Sequence, residues 1–208
     1  MEVTQSRAAR VKLVAWGTSV LTVTLAFIAW GQSLSWQLGS VTVYGFFPLL
    51  GLSAFSLMWS HYIASVIRQH LEVPKETLHK YFEITSAVVL VLILLHPGLL
   101  AWQLWRDGQG LPPTSYHQYV SGGTYWVVVL GIMSWLVFLF YELRRKFAGR
   151  SWWKYAGYAT DAAMLAIFYH GLRLGTQLRA GWLRYVWYFY GVSLLASLIY
   201  IHTRPKTS

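Results

Sequence analysis

The sequence predicts an all-α integral membrane protein built as a six-helix bundle. Of its 208 residues, 56% are hydrophobic and only 12% are charged, which is far from a soluble average. Apolar runs of about 20 residues, the length that a helix needs to span hydrocarbon, recur along the chain. Because six crossings leave almost no soluble mass, we expect residues 1–208 to form a single transmembrane domain without a nucleotide-binding module.

Each predicted helix is an apolar run bounded by polar or basic residues. The first run follows Arg7 and Arg10, and no small-x-small cleavage site ends it, so we expect a retained helix rather than a signal peptide. Pro74 marks the turn before the third helix. The longest connection runs from Arg106 to Gly123. The six predicted helices cover approximately residues 11–30, 43–70, 77–105, 124–143, 153–175 and 183–201.

Lysine and arginine lie mostly on one side of the predicted bundle. Loops rich in these residues stay in the cytoplasm, so the bias predicts cytoplasmic termini and a multi-pass protein of the cell inner (plasma) membrane. The net charge of +10 is then a topology signal and predicts no nucleic-acid partner. The cytoplasmic set is Arg7, Arg10, Lys12, Arg68, Lys75, Lys80, Arg144, Arg145, Lys146, Arg150, Lys154, Arg204 and Lys206, against Arg106, Arg173, Arg179 and Arg184 outside.

Two histidines lie deep in predicted membrane helices. The chain has no cysteine, which excludes disulfides, thiolate metal ligands, iron–sulfur clusters and covalent c-type haem, and leaves histidine as the strong metal ligand. His96 and His170 each lie about six residues, or roughly 9 Å, beyond the middle of the third and fifth helices. Since these helices run parallel in the predicted topology, both histidines are expected at the same depth, towards the outer face.

This pair predicts a single haem b with two histidine ligands. Such a site needs two facing imidazoles and an apolar slot between helices for the porphyrin. Arg173, one helical turn after His170, is placed to pair with haem propionates, and Pro97 is expected to kink the third helix beside His96. The alternative is that both are core histidines, each hydrogen-bonded to a neighbouring helix. The predicted slot walls are Val89, Leu92, Ile93, Ala163, Ala166 and Ile167.

Three further ionisable residues fall in the inner half of the predicted bundle: His61, Glu83 and Asp161. Ionisable side chains in hydrocarbon usually pair with one another or mark proton and substrate paths. One hypothesis is a proton or quinone site below the haem, with Asp161 or Glu83 accepting protons. The alternative is a buried polar knot that holds helices two, three and five together.

Four short motifs between residues 78 and 175 carry a family resemblance. The motifs are Leu78-His79-Lys80, Leu95-His96, Trp153-Lys154-Tyr155 and Tyr169-His170. With these motifs the chain resembles the ferric reductase-like transmembrane domain family of NADPH oxidases, ferric reductases and the haem-binding membrane subunit of the bacterial periplasmic methionine sulfoxide reductase system. That family has six helices with haem ligands on the third and fifth, so the resemblance implies the same roles for His96 and His170.

The chain departs from the two-haem members of this family. Those members carry a second, inner ligand before each outer one, but on the fifth helix that position falls near Gly157, which has no side chain. On the third helix the one candidate is His79, seventeen residues before His96 and thus about 25 Å away along the axis. The resemblance therefore implies one outer haem b, as in the sulfoxide reductase subunit.

The expected function is that of a membrane b-type cytochrome, an electron-transfer component of an oxidoreductase system. It would take electrons from quinol or a separate flavoprotein and pass them to an acceptor at the outer face, while membrane lipid surrounds it. The alternative is a non-redox membrane protein, either a small transporter or a structural subunit, whose buried His, Asp and Glu residues serve protons or packing.

Overall fold

The computed structural model describes residues 2–120, 122–142 and 149–204, and this part of the chain is mostly helical, with no strand. It contains six long α-helices, one short α-helix and five short 3₁₀ turns. The bounds of the α-helices are α1 Glu2–Ser33, α2 Val43–His70, α3 His79–Arg106, α4 Thr114–Tyr119, α5 Tyr125–Tyr141, α6 Lys154–Leu174 and α7 Trp182–Thr203.

The predicted helices agree with the observed ones, with two exceptions. The helix α1 begins nine residues before the predicted start, because the polar segment ahead of the apolar run is compatible with a helix. Most of residues 5–10 are exposed. The short helix α4 lies inside the stretch that was expected to be a plain loop. The predicted end of the fourth helix, residue 143, lies outside the described residues.

Five of the long helices are long and apolar enough to cross a membrane: α1, α2, α3, α5 and α7. The protein is therefore a multi-pass membrane protein. The helix α6 is the exception among the six, and it carries Asp161 and His170, polar residues that lower its mean hydropathy.

Hydrogen bonds at the two ends of the bundle fix the helix directions. At one end, called here the basic end, Arg204 after α7 donates to the carbonyl of Gln69 near the end of α2. At the opposite end, Trp182 Nε1 of α7 donates to Gln32 Oε1 of α1 at 2.8 Å. Together with the other contacts, these bonds show that α1, α3 and α6 run from the basic end to the opposite end, so that α3 and α6 are parallel as predicted.

The helices pack as a group of three, α1, α2 and α3, and a pair, α5 and α6, and α7 contacts both groups. The helix α2 packs along both α1 and α3, α5 packs along α6, and α7 packs mainly against α2. One apolar cluster includes Phe55 and Trp59 of α2, Met164 of α6 and Leu194 of α7. By contrast, the parallel helices α3 and α6 make few backbone contacts with each other.

Candidate functional site

A backbone carbonyl of α2 holds the side chain of His96 against that helix. The Nδ1 atom of His96 lies 2.8 Å from the carbonyl oxygen of Phe47, and since a carbonyl only accepts, Nδ1 carries the proton. The ring lies over Gly51, where an added Cβ atom would come within 2.7 Å of it. The imidazole also contacts the Phe47 ring, with ring centroids 5.2 Å apart. Only a glycine at position 51 leaves the imidazole room in this orientation.

His170 is held against α5 in the same way. Its Nδ1 atom lies 2.9 Å from the carbonyl oxygen of Val127. An added Cβ atom at Gly131 would come within 2.6 Å of the ring. In both pairs of helices, the glycine lies four residues after the residue whose carbonyl accepts the hydrogen bond. The pairs α2–α3 and α5–α6 therefore present their histidines through one repeated arrangement.

This arrangement leaves the second nitrogen of each ring available. Among the described residues, no hydrogen bond reaches Nε2 of His96 or of His170. Both residues are half-buried. A histidine that binds a metal usually donates its other N–H to a carbonyl or carboxylate, which fixes the tautomer and the ring orientation. A hydrogen bond to a neighbouring helix is also expected for plain core histidines. The free Nε2 atoms of both rings favour the alternative in which the two histidines bind a metal.

Most of the predicted slot walls lie in one apolar region of the bundle. Five of the six, all except Ala166, belong to or pack against the same apolar cluster, which draws on both α3 and α6. Two neutral donor atoms, apolar walls and parallel helices are what a haem with two histidine ligands requires. The residues present thus fit that group.

A search of known protein families, of curated proteins and of solved structures finds no match to the chain. The resemblance to the ferric reductase-like family therefore rests on its four short motifs alone. The interpretation of the site depends on its own geometry.

Arg173 and Pro97 lie beside the two histidines. Arg173 is exposed and makes no hydrogen bond or ion pair within the described ranges, so its guanidinium is free to meet an anion. Pro97 lies inside α3 and has no N–H to give to the carbonyl of Ile93. That carbonyl instead accepts a hydrogen bond from Trp135 Nε1 of α5 at 2.9 Å. The proline thereby creates a tie between α3 and α5; a kink at this position stays a prediction.

The three inner residues that the sequence grouped together do not share a hydrogen-bond network. His61 Nε2 lies 2.7 Å from Thr85 Oγ1, a contact between α2 and α3. Asp161 is bonded elsewhere, to Tyr62 and His202. Glu83 is exposed and has no hydrogen bond or ion pair in the part of the chain that the structure describes. A role in proton transfer for any of the three stays a prediction.

Sequence reasoning did not identify the partners of Asp161. Tyr62 Oη donates to its Oδ1 atom at 2.8 Å, and His202 Nε2 lies 2.8 Å from its Oδ2 atom. Tyr62 lies mid-way through an apolar helix, and His202 looks like a solvated residue at the end of the last helix. No local pattern in the sequence connects either of them to Asp161, because the three residues come from α2, α6 and α7.

A polar clamp closes the opposite end of the α2–α3 pair. Tyr44 Oη donates to Asp107 Oδ2 at 2.6 Å, and Gln103 Nε2 donates to Asp107 Oδ1 at 2.8 Å. These hydrogen bonds, from Tyr44 first and then Gln103, lower the pKa of the Asp107 carboxyl. The Tyr44 ring stacks on Tyr119 of α4, with centroids 5.7 Å apart. The clamp fixes α4 over the end of the helix that carries His96.

Proposed function

We propose that this protein is a membrane b-type cytochrome that holds one haem b between His96 of α3 and His170 of α6. In this proposal all six long helices cross the cell inner (plasma) membrane, with both termini and the basic end in the cytoplasm. The observation that carries the proposal is the repeated arrangement in which a backbone carbonyl and a helix glycine orient each imidazole and leave its Nε2 atom free.

The surrounding residues explain how the chain would support such a cofactor. When bound, the haem supplies one-electron redox chemistry, and the protein supplies its position, access and potential. The carbonyls of Phe47 and Val127 fix both imidazoles as neutral Nδ1–H tautomers and increase the basicity of Nε2. Arg173 is placed to pair with a propionate at the outer side. No extra partner is needed for the haem site itself.

In this proposal, electrons move from the basic end of the bundle towards the outer face. The proposed donor, a quinol or a separate flavoprotein, acts from the membrane or the cytoplasm at the basic end. The proposed acceptor meets the protein at the outer face, near His96 and His170. The chain would then be the electron-transfer component of an oxidoreductase system, and its partners would carry the substrate chemistry.

Purified protein provides the direct test. The wild-type protein, expressed with haem precursors and purified in detergent, should show a b-type absorption spectrum with one haem per chain. His96→Ala and His170→Ala should each abolish that spectrum because one remaining imidazole does not complete the ligand set. His117→Ala is the matched control, since His117 lies in α4 and stacks on Tyr125, and it should keep full haem content.

Two results would refute the proposal. One is a colourless wild-type protein that binds no added haemin, which would favour a transporter or a structural subunit. The other is full haem content in both alanine variants.

A further inference from the structure

Asp161 is the centre of a hydrogen-bonded triad that joins three helices near the basic end. Tyr62 Oη of α2 donates to Asp161 Oδ1 at 2.8 Å, and His202 Nε2 of α7 lies 2.8 Å from Asp161 Oδ2. Both carboxylate oxygens therefore have a partner. Because an ionised carboxylate only accepts hydrogen bonds, His202 Nε2 is the nitrogen that carries the proton. In the neutral imidazole, the Nδ1 atom of the same ring is a proton acceptor.

That acceptor is accessible. The side chain of His202 is 40% exposed and that of Asp161 is 22% exposed. Within the described residues, no hydrogen bond reaches His202 Nδ1. The ring of Tyr158, itself exposed, stacks on the imidazole with centroids 5.2 Å apart. An aromatic face beside an imidazole stabilises the imidazolium that forms when Nδ1 takes a proton.

The triad also lies within reach of the proposed haem ligand. Asp161 precedes His170 by nine residues in the same helix, which is roughly 13 Å along the axis. His202 lies in the last turn of α7, next to Thr203 and Arg204, at the basic end of the bundle. A group bound here would touch both the apolar membrane phase and the aqueous rim, and it would lie one helix segment away from His170.

We propose that this triad is the oxidation site for a membrane-soluble hydroquinone, with His202 as the proton acceptor. This inference rests on the proposed function, since it names the donor of the same cytochrome. The hydroquinone hydroxyl donates its hydrogen bond to His202 Nδ1, while its ring lies beside Tyr158. Asp161 and Tyr62 are positioning residues: Asp161 fixes the tautomer of His202 and stabilises its charged form, and Tyr62 holds the carboxylate in place.

The chemistry balances with the acceptor outside the membrane. Oxidation of one hydroquinone to quinone breaks two O–H bonds and releases two electrons and two protons. A haem held by His96 and His170 would accept the two electrons one at a time, and the outer acceptor would take each of them in turn. The proton of the hydroxyl that is bound to His202 goes first to His202 Nδ1 and then to water at the basic end. The proton of the opposite hydroxyl is released to water.

Stopped-flow reduction tests the proton acceptor. With a short-chain benzohydroquinone as donor, His202→Gln should slow haem reduction by about 100-fold, the usual contribution of a general base. Reduction by dithionite should give the wild-type spectrum, because neither haem ligand has changed. Asp161→Asn should also slow the reaction, and Asp161→Glu should restore much of the rate, which loss of packing alone would not produce. His70→Gln, another histidine at the basic end of the bundle, is the control and should leave the rate unchanged.

A binding measurement separates this inference from the haem proposal. Quenching of tryptophan fluorescence by the quinone form of this short-chain donor reports binding whether or not haem is present. We expect His202→Gln to weaken quenching relative to both wild type and His70→Gln. If the wild-type protein is colourless but its quenching depends on His202, the haem proposal fails and the quinone site stands. If the protein contains haem and His202→Gln is reduced and quenched like wild type, the quinone site is refuted and the cytochrome stands.

Discussion

The α2–α3 pair and the α5–α6 pair orient their histidines identically and differ in almost everything else. Phe47 and Val127 share no side-chain chemistry, yet their carbonyls accept the same Nδ1 hydrogen bond. The first pair contains Pro48 and Pro97, and no proline lies in α5 or α6. What the two pairs share is a backbone acceptor followed, one helical turn later, by glycine. Those two features are therefore what positions the imidazoles.

The largest effect is expected from filling either glycine cradle. Gly51→Ala adds a methyl group 2.7 Å from the His96 ring, and Gly131→Ala adds one 2.6 Å from the His170 ring. The imidazole must then move and lose its carbonyl partner, so we expect haem affinity to fall about 10–100-fold, as for loss of other groups that orient a metal ligand. Haem per chain, measured by the pyridine haemochromogen spectrum, provides the readout.

Two other helix glycines provide matched controls. An added Cβ atom at Gly98 of α3 or Gly157 of α6 meets no atom within 4 Å. Gly98→Ala and Gly157→Ala should therefore keep wild-type haem content. Equal haem loss in all four variants would show that the effect is general helix disruption, and wild-type content in all four would show that the cradles do not matter.

The comparison of the two helix pairs also explains which features the sequence predicted and which features it did not predict. Apolar runs and basic loops set the helix positions, and the depth of His96 and His170 singled them out. The acceptors are backbone carbonyls, which every residue has, so no residue type marks them. Gly51 and Gly131 lie within α2 and α5 like other membrane-helix glycines, and the sequence does not show which neighbour needs the space. Contacts across helices, such as Asp161 with His202, are invisible for the same reason.

The next effect concerns the prolines inside the helices of the two pairs, which occur only in α2 and α3. Trp135→Phe removes the indole N–H that satisfies the Ile93 carbonyl freed by Pro97. An unsatisfied buried polar group costs about 1–3 kcal/mol, so we expect a lower free energy of unfolding in detergent titrations. Pro97→Ala supplies a backbone N–H for that carbonyl, so Trp135→Phe should cost less in that background. Additive effects in this double-mutant cycle would mean that the tie does not compensate for the proline.

A smaller effect is expected from the side chain of Phe47. Its ring contacts His96 with centroids 5.2 Å apart, whereas Val127 gives His170 no such ring. Since the hydrogen bond uses the backbone, Phe47→Val should keep the haem and shift only its absorption maximum or midpoint potential. Loss of haem in Phe47→Val would show that the two pairs depend on different features after all.

The smallest effect comes from the clamp at Asp107, which has no counterpart in the described part of the α5–α6 pair. Hydrogen bonds from Tyr44 and Gln103 lower the pKa of the folded carboxyl. Because the folded-state pKa is lowered, the clamp stabilises the fold fully at a pH above the ordinary pKa of aspartic acid. This stabilisation is lost as the pH falls through the lowered pKa. Tyr44→Phe should therefore reduce thermal stability at pH 7, with a gap from wild type that closes on acidification. A gap that widens in acid would show that the carboxyl is protonated in the clamp and that Tyr44 is not its stabilising donor.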